Sequence, residues 1–348
     1  MSFVCTIEKK SFGKVKDGSE AVLYEVRGSN GMGFDVSDFG ATLVSVWIPG
    51  PEGSVTDVIL GYDSVAGYEC DAGHLGATVG RNANRIAEGR YTLNGKVYQM
   101  NRNDGENNLH SGPDYYGKRF WKAELLENGV RFMLDSPDGD QRHPGNAEIT
   151  VEYTLTEEQG IRLTYHGICD QDTVMNLTNH SYFNLEGAEG KSILSHRLQI
   201  RACQFTPTDE NLIPTGELLS VEGTPMDFND MKEIGRDIGA DYPALKLAGG
   251  YDHNYALDNK GGFALAAVYQ ACGRGMEVYT DLPGMQIYTA NFLKTEGKKH
   301  AAYGRHSGIC FETQYYPDSV NHASFSSPVL KKGEPFQSVT EYRFFWQD

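Results

Sequence analysis

The run Tyr91-Thr92-Leu93-Asn94-Gly95-Lys96-Val97-Tyr98 sets the architecture. Two short alternating segments flank Asn-Gly, the dipeptide that supplies both positive φ angles of a type I′ hairpin turn. A chain that reverses in two residues builds antiparallel sheet. The device recurs at Asn128-Gly129, between Ala123-Glu124-Leu125-Leu126 and Val130-Arg131-Phe132-Met133-Leu134. Strands are also expected over 149–155, 161–166, 263–269, 276–280 and 342–346, where apolar and polar residues alternate. Helical patterns are few and short: 64–68, and 227–234 with Asp227 as its N-cap. Strands never alternate with long helical patterns, which argues against a parallel α/β sheet. The expected fold is all-β, a large antiparallel β-sandwich with few short helices. No linker, repeat or low-complexity tract divides it, so residues 1–348 read as a single domain.

Composition agrees. Forty Gly, twenty Tyr and sixteen Phe in 348 residues suit strands and turns, and the length suffices to bury a core without staples. A net charge of −16 argues against nucleic acid or an anionic membrane surface as partner. The six cysteines are scattered with no C-x-x-C pair, which reads as reduced thiols. The first residues lack a charged-then-apolar leader, and no apolar run reaches the roughly 18 residues of a membrane span. The chain therefore reads as soluble and cytoplasmic.

Candidate chemistry centres on Asn176-Leu177-Thr178-Asn179-His180-Ser181-Tyr182-Phe183-Asn184-Leu185. As an alternating strand it puts Asn176, Thr178, His180, Tyr182 and Asn184 on one face. Amides, hydroxyls and an imidazole suit a neutral polyhydroxylated ligand, and His180 can trade a proton near neutral pH. A solvated strand with an incidental histidine is the plain alternative. His110 lies in the long Asn/Asp/Gly-rich stretch 101–118, where a histidine can equally be an ordinary loop residue. Gly80-Arg81-Asn82-Ala83-Asn84-Arg85-Ile86 offers two arginines and two amides, or simply a solvated basic loop. Gly249-Gly250-Tyr251-Asp252-His253-Asn254-Tyr255 sets an acid beside an imidazole, or caps a turn. In 306–314, Cys310, Glu312 and Gln314 share a strand face. A carboxylate in so apolar a strand is costly unless paired, and burial would raise its pKa towards that of a useful general base. An arginine ion pair is the structural alternative. There is no G-x-S-x-G elbow, Walker A loop or H-E-x-x-H. His110, His180 and Asp252 are metal-binding residue types, but their spacing does not ask for a metal.

Six motifs in order resemble the aldose 1-epimerase (galactose mutarotase) family: Asn84-Arg85-Ile86, Asn108-Leu109-His110, the 176–185 stretch, Gly250-Tyr251-Asp252-His253-Asn254, Pro283-Gly284-Met285-Gln286-Ile287-Tyr288, and Glu312-Thr313-Gln314. The resemblance covers nearly the whole chain. It implies a galactose mutarotase-like β-sandwich with an open sugar cleft, and interconversion of the α and β anomers of free aldohexoses such as galactose and glucose. By the same resemblance, Glu312 is the base that takes the anomeric C1 hydroxyl proton. His180 is the acid that protonates the ring oxygen, and His110 is a second active-site histidine. Asn84, Arg85, Asp252 and Gln286 hold the sugar hydroxyls. Opening and reclosing a hemiacetal moves two protons and needs no redox cofactor, metal or covalent intermediate. Ser111 and Ala290 stand where the family often has glycine, and Tyr251 where phenylalanine is common. Two alternatives remain: a hexose 6-phosphate mutarotase using Arg81 and Arg85 as a phosphate subsite, and a sugar-binding protein without turnover.

Overall fold

Period-two burial runs the length of the long strands. In Ala147–Leu155, for example, every second residue from Ala147 to Leu155 is buried. The computed structural model describes residues 3–50 and 53–346. Its largest sheet has nine antiparallel strands in the order Lys122–Leu125, Gly129–Ser136, Ala147–Leu155, Gly160–Cys169, Phe336–Trp346, Arg274–Thr280, Ala264–Ala271, Arg197–Ile200 and Lys232–Glu233. The register places Phe132 opposite Val151, Tyr165 opposite Val151 on its other edge, and Val278 opposite Tyr342, so one apolar face runs across the sheet. The opposite face carries ion pairs such as Arg131–Glu152 and Arg162–Glu341.

Two smaller sheets cover the apolar face. A five-stranded meander begins with Cys5–Lys14 and Glu20–Gly28 and packs its aromatics on the nine-stranded sheet, Tyr24 against Phe132 and Phe34 against Tyr153. A six-stranded sheet, ordered Tyr182–Phe183, Ile309–Gln314, Gly284–Tyr288, Asp252–Ala256, Gln204–Phe205 and Leu219–Ser220, packs beside it. Its inward residues Phe183 and Phe311 meet Tyr342 and Tyr269 of the large sheet. The antiparallel β-sandwich expected from the sequence is what forms.

The 91–98 hairpin also forms, as Arg90–Leu93 paired with Lys96–Gln99, with Asn94 and Gly95 both at positive φ. Asn128-Gly129 behaves differently. It does not supply both corners of its turn: the Leu126 N–H donates to Gly129 O, which puts 127 and 128 at the corners, and the Asn128 side-chain amide and backbone carbonyl both bond the Leu155 backbone. Gly129 is already in the strand, where a Cβ would lie 1.9 Å from the Tyr153 carbonyl oxygen. The glycine answers a close backbone approach there.

The helix expected over 64–68 is present as Val65–Cys70. That expected over 227–234 is absent. Asp227 instead closes an Asx turn on Asn229, followed by the strand Lys232–Glu233 and a 3-10 turn. An unanticipated helix, Pro243–Ala248, begins with proline and stops at Gly249 in the left-handed region. Among the described residues no helix is long and apolar enough to cross a membrane.

Candidate functional site

In the six-stranded sheet, Phe311 and Thr313 point towards the nine-stranded sheet, where Thr313 bonds Thr340. Cys310, Glu312 and Gln314 therefore project from the opposite face, as the alternation of 306–314 predicts. Register aligns Gln286 with Glu312 and Tyr288 with Cys310. One strand further, Asp252 stands opposite Tyr288. This face floors an open cleft of about 550 Å³, whose lining includes Asn84, Arg85, His110, His180, Asp252 and Glu312.

His180 reaches the cleft from a segment that is not the continuous strand its alternation suggested. Its pairing is broken into pieces: Thr178–Asn179 pairs with Thr78–Val79, Tyr182–Phe183 pairs with Ile309–Cys310, and Asn176 makes an isolated bridge to Asn82. Every residue from 176 to 185 is buried. The two amides expected to meet a ligand bond the backbone instead: Asn176 exchanges bonds with Tyr315, and Asn184 with Lys191, Ser307 and Glu186. Asn179, on the other face of the expected strand, likewise bonds Gly76 and Ser181. They hold the segment while His180 and Tyr182 face the cleft. The His180 backbone is itself pinned, its N–H donating to Ala77 O and its carbonyl accepting from Gly76 N. Gly76 sits at φ +66°, and a Cβ there would lie 2.1 Å from Leu43 O, so only glycine fits.

His110 and Asn84 clasp each other. Both are at positive φ; the Asn84 N–H donates to His110 Nδ1 at 3.1 Å, and the His110 N–H donates to Asn84 O. A backbone donor on Nδ1 leaves the ring proton on Nε2, so His110 presents an N–H to the cleft. Ser111 also lies in the left-handed region, at φ +66°. Its buried hydroxyl accepts from the Asn82 N–H and donates to the Asn82 carbonyl, which offsets the strain glycine would avoid. Ser111→Ala is therefore expected to lower stability by about 2 kcal/mol. Ser111→Gly, relieved of the φ penalty, should lose only about 1 kcal/mol. Denaturant melts that ranked the alanine variant above the glycine variant would contradict this account.

The remaining candidates divide. Asp252 lines the cleft and accepts from Gln286 Nε2 at 2.7 Å. Gln286 is buried and not part of the lining, so it orients Asp252 from behind. Arg85 lines the cleft, with Nε donating to Asp104 at 2.8 Å. Arg81 is absent from the cleft. It is fully buried, and its guanidinium bonds Tyr116, Pro144, Gly145, Thr173 and Ser136. The basic loop is thus not solvated: one arginine holds the fold and the other pairs its Nε with a carboxylate.

His180 Nε2 lies 3.6 Å from Glu312 Oε1. That is too long for a hydrogen bond, so the two groups do not satisfy each other and both stay free to bond a ligand in the cleft. On the far side of the ring, His180 Nδ1 is 3.6 Å from the Cys310 thiol. Burial pushes Glu312 well above the usual carboxylate range, helped by the negative charge of Asp252 and opposed by Arg85. Burial also pushes His180 down to about 3, and His74 adds to the effect. His110 is held well below its ordinary value by burial and by its two histidine neighbours. Burial thus favours the neutral form of both members of the Glu312–His180 pair. His110, His180 and Glu312 each place a donor atom within 4.8 Å of the others, a spacing compatible with a metal. The Nε2 proton that the Asn84 N–H fixes on His110 makes that edge a donor, not a ligand.

One cleft histidine escaped the reading of the sequence. His74 stands in Ala72-Gly73-His74-Leu75, a loop with no periodicity to mark it. Its ring packs 4.9 Å from His110, 5.6 Å from His180 and 4.8 Å from Tyr115. Tyr182, expected on the ligand-facing side of 176–185, walls the cleft, as does Tyr288, for which the sequence suggested no role.

The aldose 1-epimerase family model matches residues 22–343. The chain is 38% identical to galactose mutarotase of Bos taurus, over 97% of this chain and 98% of that protein. It is 41% identical to aldose 1-epimerase of Escherichia coli K12, over 94% of this chain and 96% of that protein. The crystal structure of galactose 1-epimerase from Lactobacillus acidophilus superposes with a TM-score of 0.85 at 27% identity, covering 99% of this chain and all of that one.

Proposed function

Because the chain belongs to the aldose 1-epimerase family, we propose that Glu312 and His180 are the base and acid with which it interconverts the α and β anomers of free aldoses. The observation that carries this assignment is the 3.6 Å separation of His180 Nε2 and Glu312 Oε1, which leaves the two groups unsatisfied by each other in a polar cleft. A hemiacetal presents two oxygens on one carbon, and the pair meets both. With the ring oxygen at His180 and the C1 hydroxyl at Glu312, the carboxylate takes the hydroxyl proton as the imidazolium protonates the ring oxygen. The C1–O5 bond breaks and the aldehyde forms. Rotation about C1–C2 presents the other carbonyl face, and reclosure returns both protons.

The directions of these shifts fit this cycle. A carboxylic acid beside a neutral imidazole is the protonation state of the pair while the open-chain aldehyde is bound. Sugar hydroxyls donating to Glu312 stabilise its carboxylate and move the proton to His180 before ring opening. In this reading His110 Nε2–H donates near the ring oxygen, and Asn84, Arg85 and Asp252 hold the other hydroxyls through rotation. Gln286 acts through Asp252. A neutral ligand also suits a cleft in which Asp104 pairs the arginine. The six cysteines are all free, which suits a reducing compartment, and the cytoplasm is the proposed setting for a single-domain enzyme.

A coupled mutarotation assay over galactose, glucose, xylose, arabinose and glucose 6-phosphate tests the reading. Acceleration is expected for the free sugars, with glucose 6-phosphate turned over at least about tenfold less efficiently, since the phosphate would meet no unpaired arginine. Binding without acceleration would reduce the protein to a sugar-binding module.

A further inference from the structure

We propose that His74 is a specificity-determining residue, a third imidazole whose Nε2–H donates to the exocyclic hydroxymethyl oxygen of a hexose. This rests on the mutarotase reading above and extends it to a preference within the aldoses.

The geometry begins with three rings. His74, His110 and His180 form a near-equilateral triangle, with centroid separations of 4.9, 5.4 and 5.6 Å. His110 and His180 each bring a nitrogen into the compact group that includes a Glu312 oxygen; His74 does not belong to it. His74 thus lies beside the histidine pair but outside that compact group, and it lines the cleft. Its Nδ1 is buried with no hydrogen-bond partner, so the accessible edge of the ring carries Nε2. A buried acceptor without a partner is better tolerated than a buried N–H without one. The neutral ring therefore keeps its proton on Nε2, facing the ligand. Burial, with Lys118 adding to it, pushes His74 down to about 4, so the neutral form holds at physiological pH.

Sugar geometry supplies the rest. In a pyranose the ring oxygen is flanked by C1 and by C5. With O1 at Glu312 and the ring oxygen at the histidine pair, the next group beyond the ring oxygen is the substituent on C5. That substituent is hydroxymethyl in galactose and glucose and hydrogen in the pyranose forms of xylose and arabinose. His74 also sits at φ +59°, an unusual conformation for a side chain of this size, and packs against Tyr115. The strained loop thereby places the ring where a C5 substituent arrives.

The test compares kcat and KM for galactose, glucose, xylose and arabinose in wild type, His74→Phe and His74→Asn. Phenylalanine keeps the aromatic packing and removes the donor; asparagine suits the left-handed backbone and restores an N–H. His74→Phe is expected to lower the hexose-to-pentose ratio of kcat/KM by about five- to tenfold, mostly through KM, the size of one lost hydrogen bond. His74→Asn should recover part of that ratio. An equal loss on hexoses and pentoses, or no change in either, would overturn the inference while leaving the Glu312–His180 reading intact. A wild type inactive on all four sugars would overturn that reading and this inference with it.

Discussion

Glu312→Gln is expected to abolish mutarotation and, in the same molecule, to raise the melting temperature. The loss follows from the role: an amide cannot take the C1 hydroxyl proton, and a positioned base contributes on the order of 10²–10⁴-fold. The gain follows from burial. Glu312 is 2% exposed, its Oε1 has no hydrogen-bond donor within range, and its Oε2 has no partner at all. Its folded pKa is raised above the unfolded value near 4.5. The folded state then binds the extra proton between these two values, so stability falls as pH rises through that window. Glutamine cannot ionise and escapes the penalty. The wild type and variant should melt together below pH 4.5 and separate as pH climbs, with the variant ahead by about 2–5 °C at pH 8. Differential scanning calorimetry from pH 4 to 9, paired with polarimetry, checks both halves. A variant that loses activity but melts lower at high pH would show that Glu312 is held by partners absent from this account.

That tension between site and stability marks what the sequence could disclose. Strands with one face in the core announce themselves by alternation, and 149–155, 161–166 and 276–280 all lie within observed strands. Glu312 was visible for the same reason, as a carboxylate at an alternating position in an otherwise uncharged, partly apolar strand. The 176–185 segment has no solvent face, so alternation there carries no exposure signal, and its amides proved to be backbone clamps. Arg81 reads as surface charge in any composition scan; its burial depends on carbonyls more than fifty residues away in the chain. His74 depends on a loop fold that brings three separate stretches together. The roles given to Asn84, Asp252 and Gln286 came from family resemblance, and the geometry separates two cleft residues from one that stands behind.

His180→Asn carries the second large effect, and its value lies in the pH dependence it exposes. The active pair holds one proton. Adding a second protonates both groups and leaves no base; removing the only one leaves no acid. The rate should therefore follow a bell whose limbs belong to the pair, not to either residue. Burial lowers His180 to about 3 and raises Glu312, which moves the limbs apart and leaves a broad plateau across neutral pH. Asparagine at 180 retains a donor that can bond the ring oxygen but cannot transfer a proton to it. A fall in kcat of about 10²–10⁴-fold is expected with a much smaller change in KM, since His110, Asn84, Arg85 and Asp252 still hold the sugar. The surviving rate should lose the alkaline limb, which reports loss of the acid's proton, and keep the acid limb, because Glu312 must still be ionised to act as the base. Stopped-flow polarimetry on galactose from pH 4 to 9.5 measures both. Wild-type kcat in the variant would remove His180 as the acid and direct attention to His110, whose Nε2 proton already faces the same ligand.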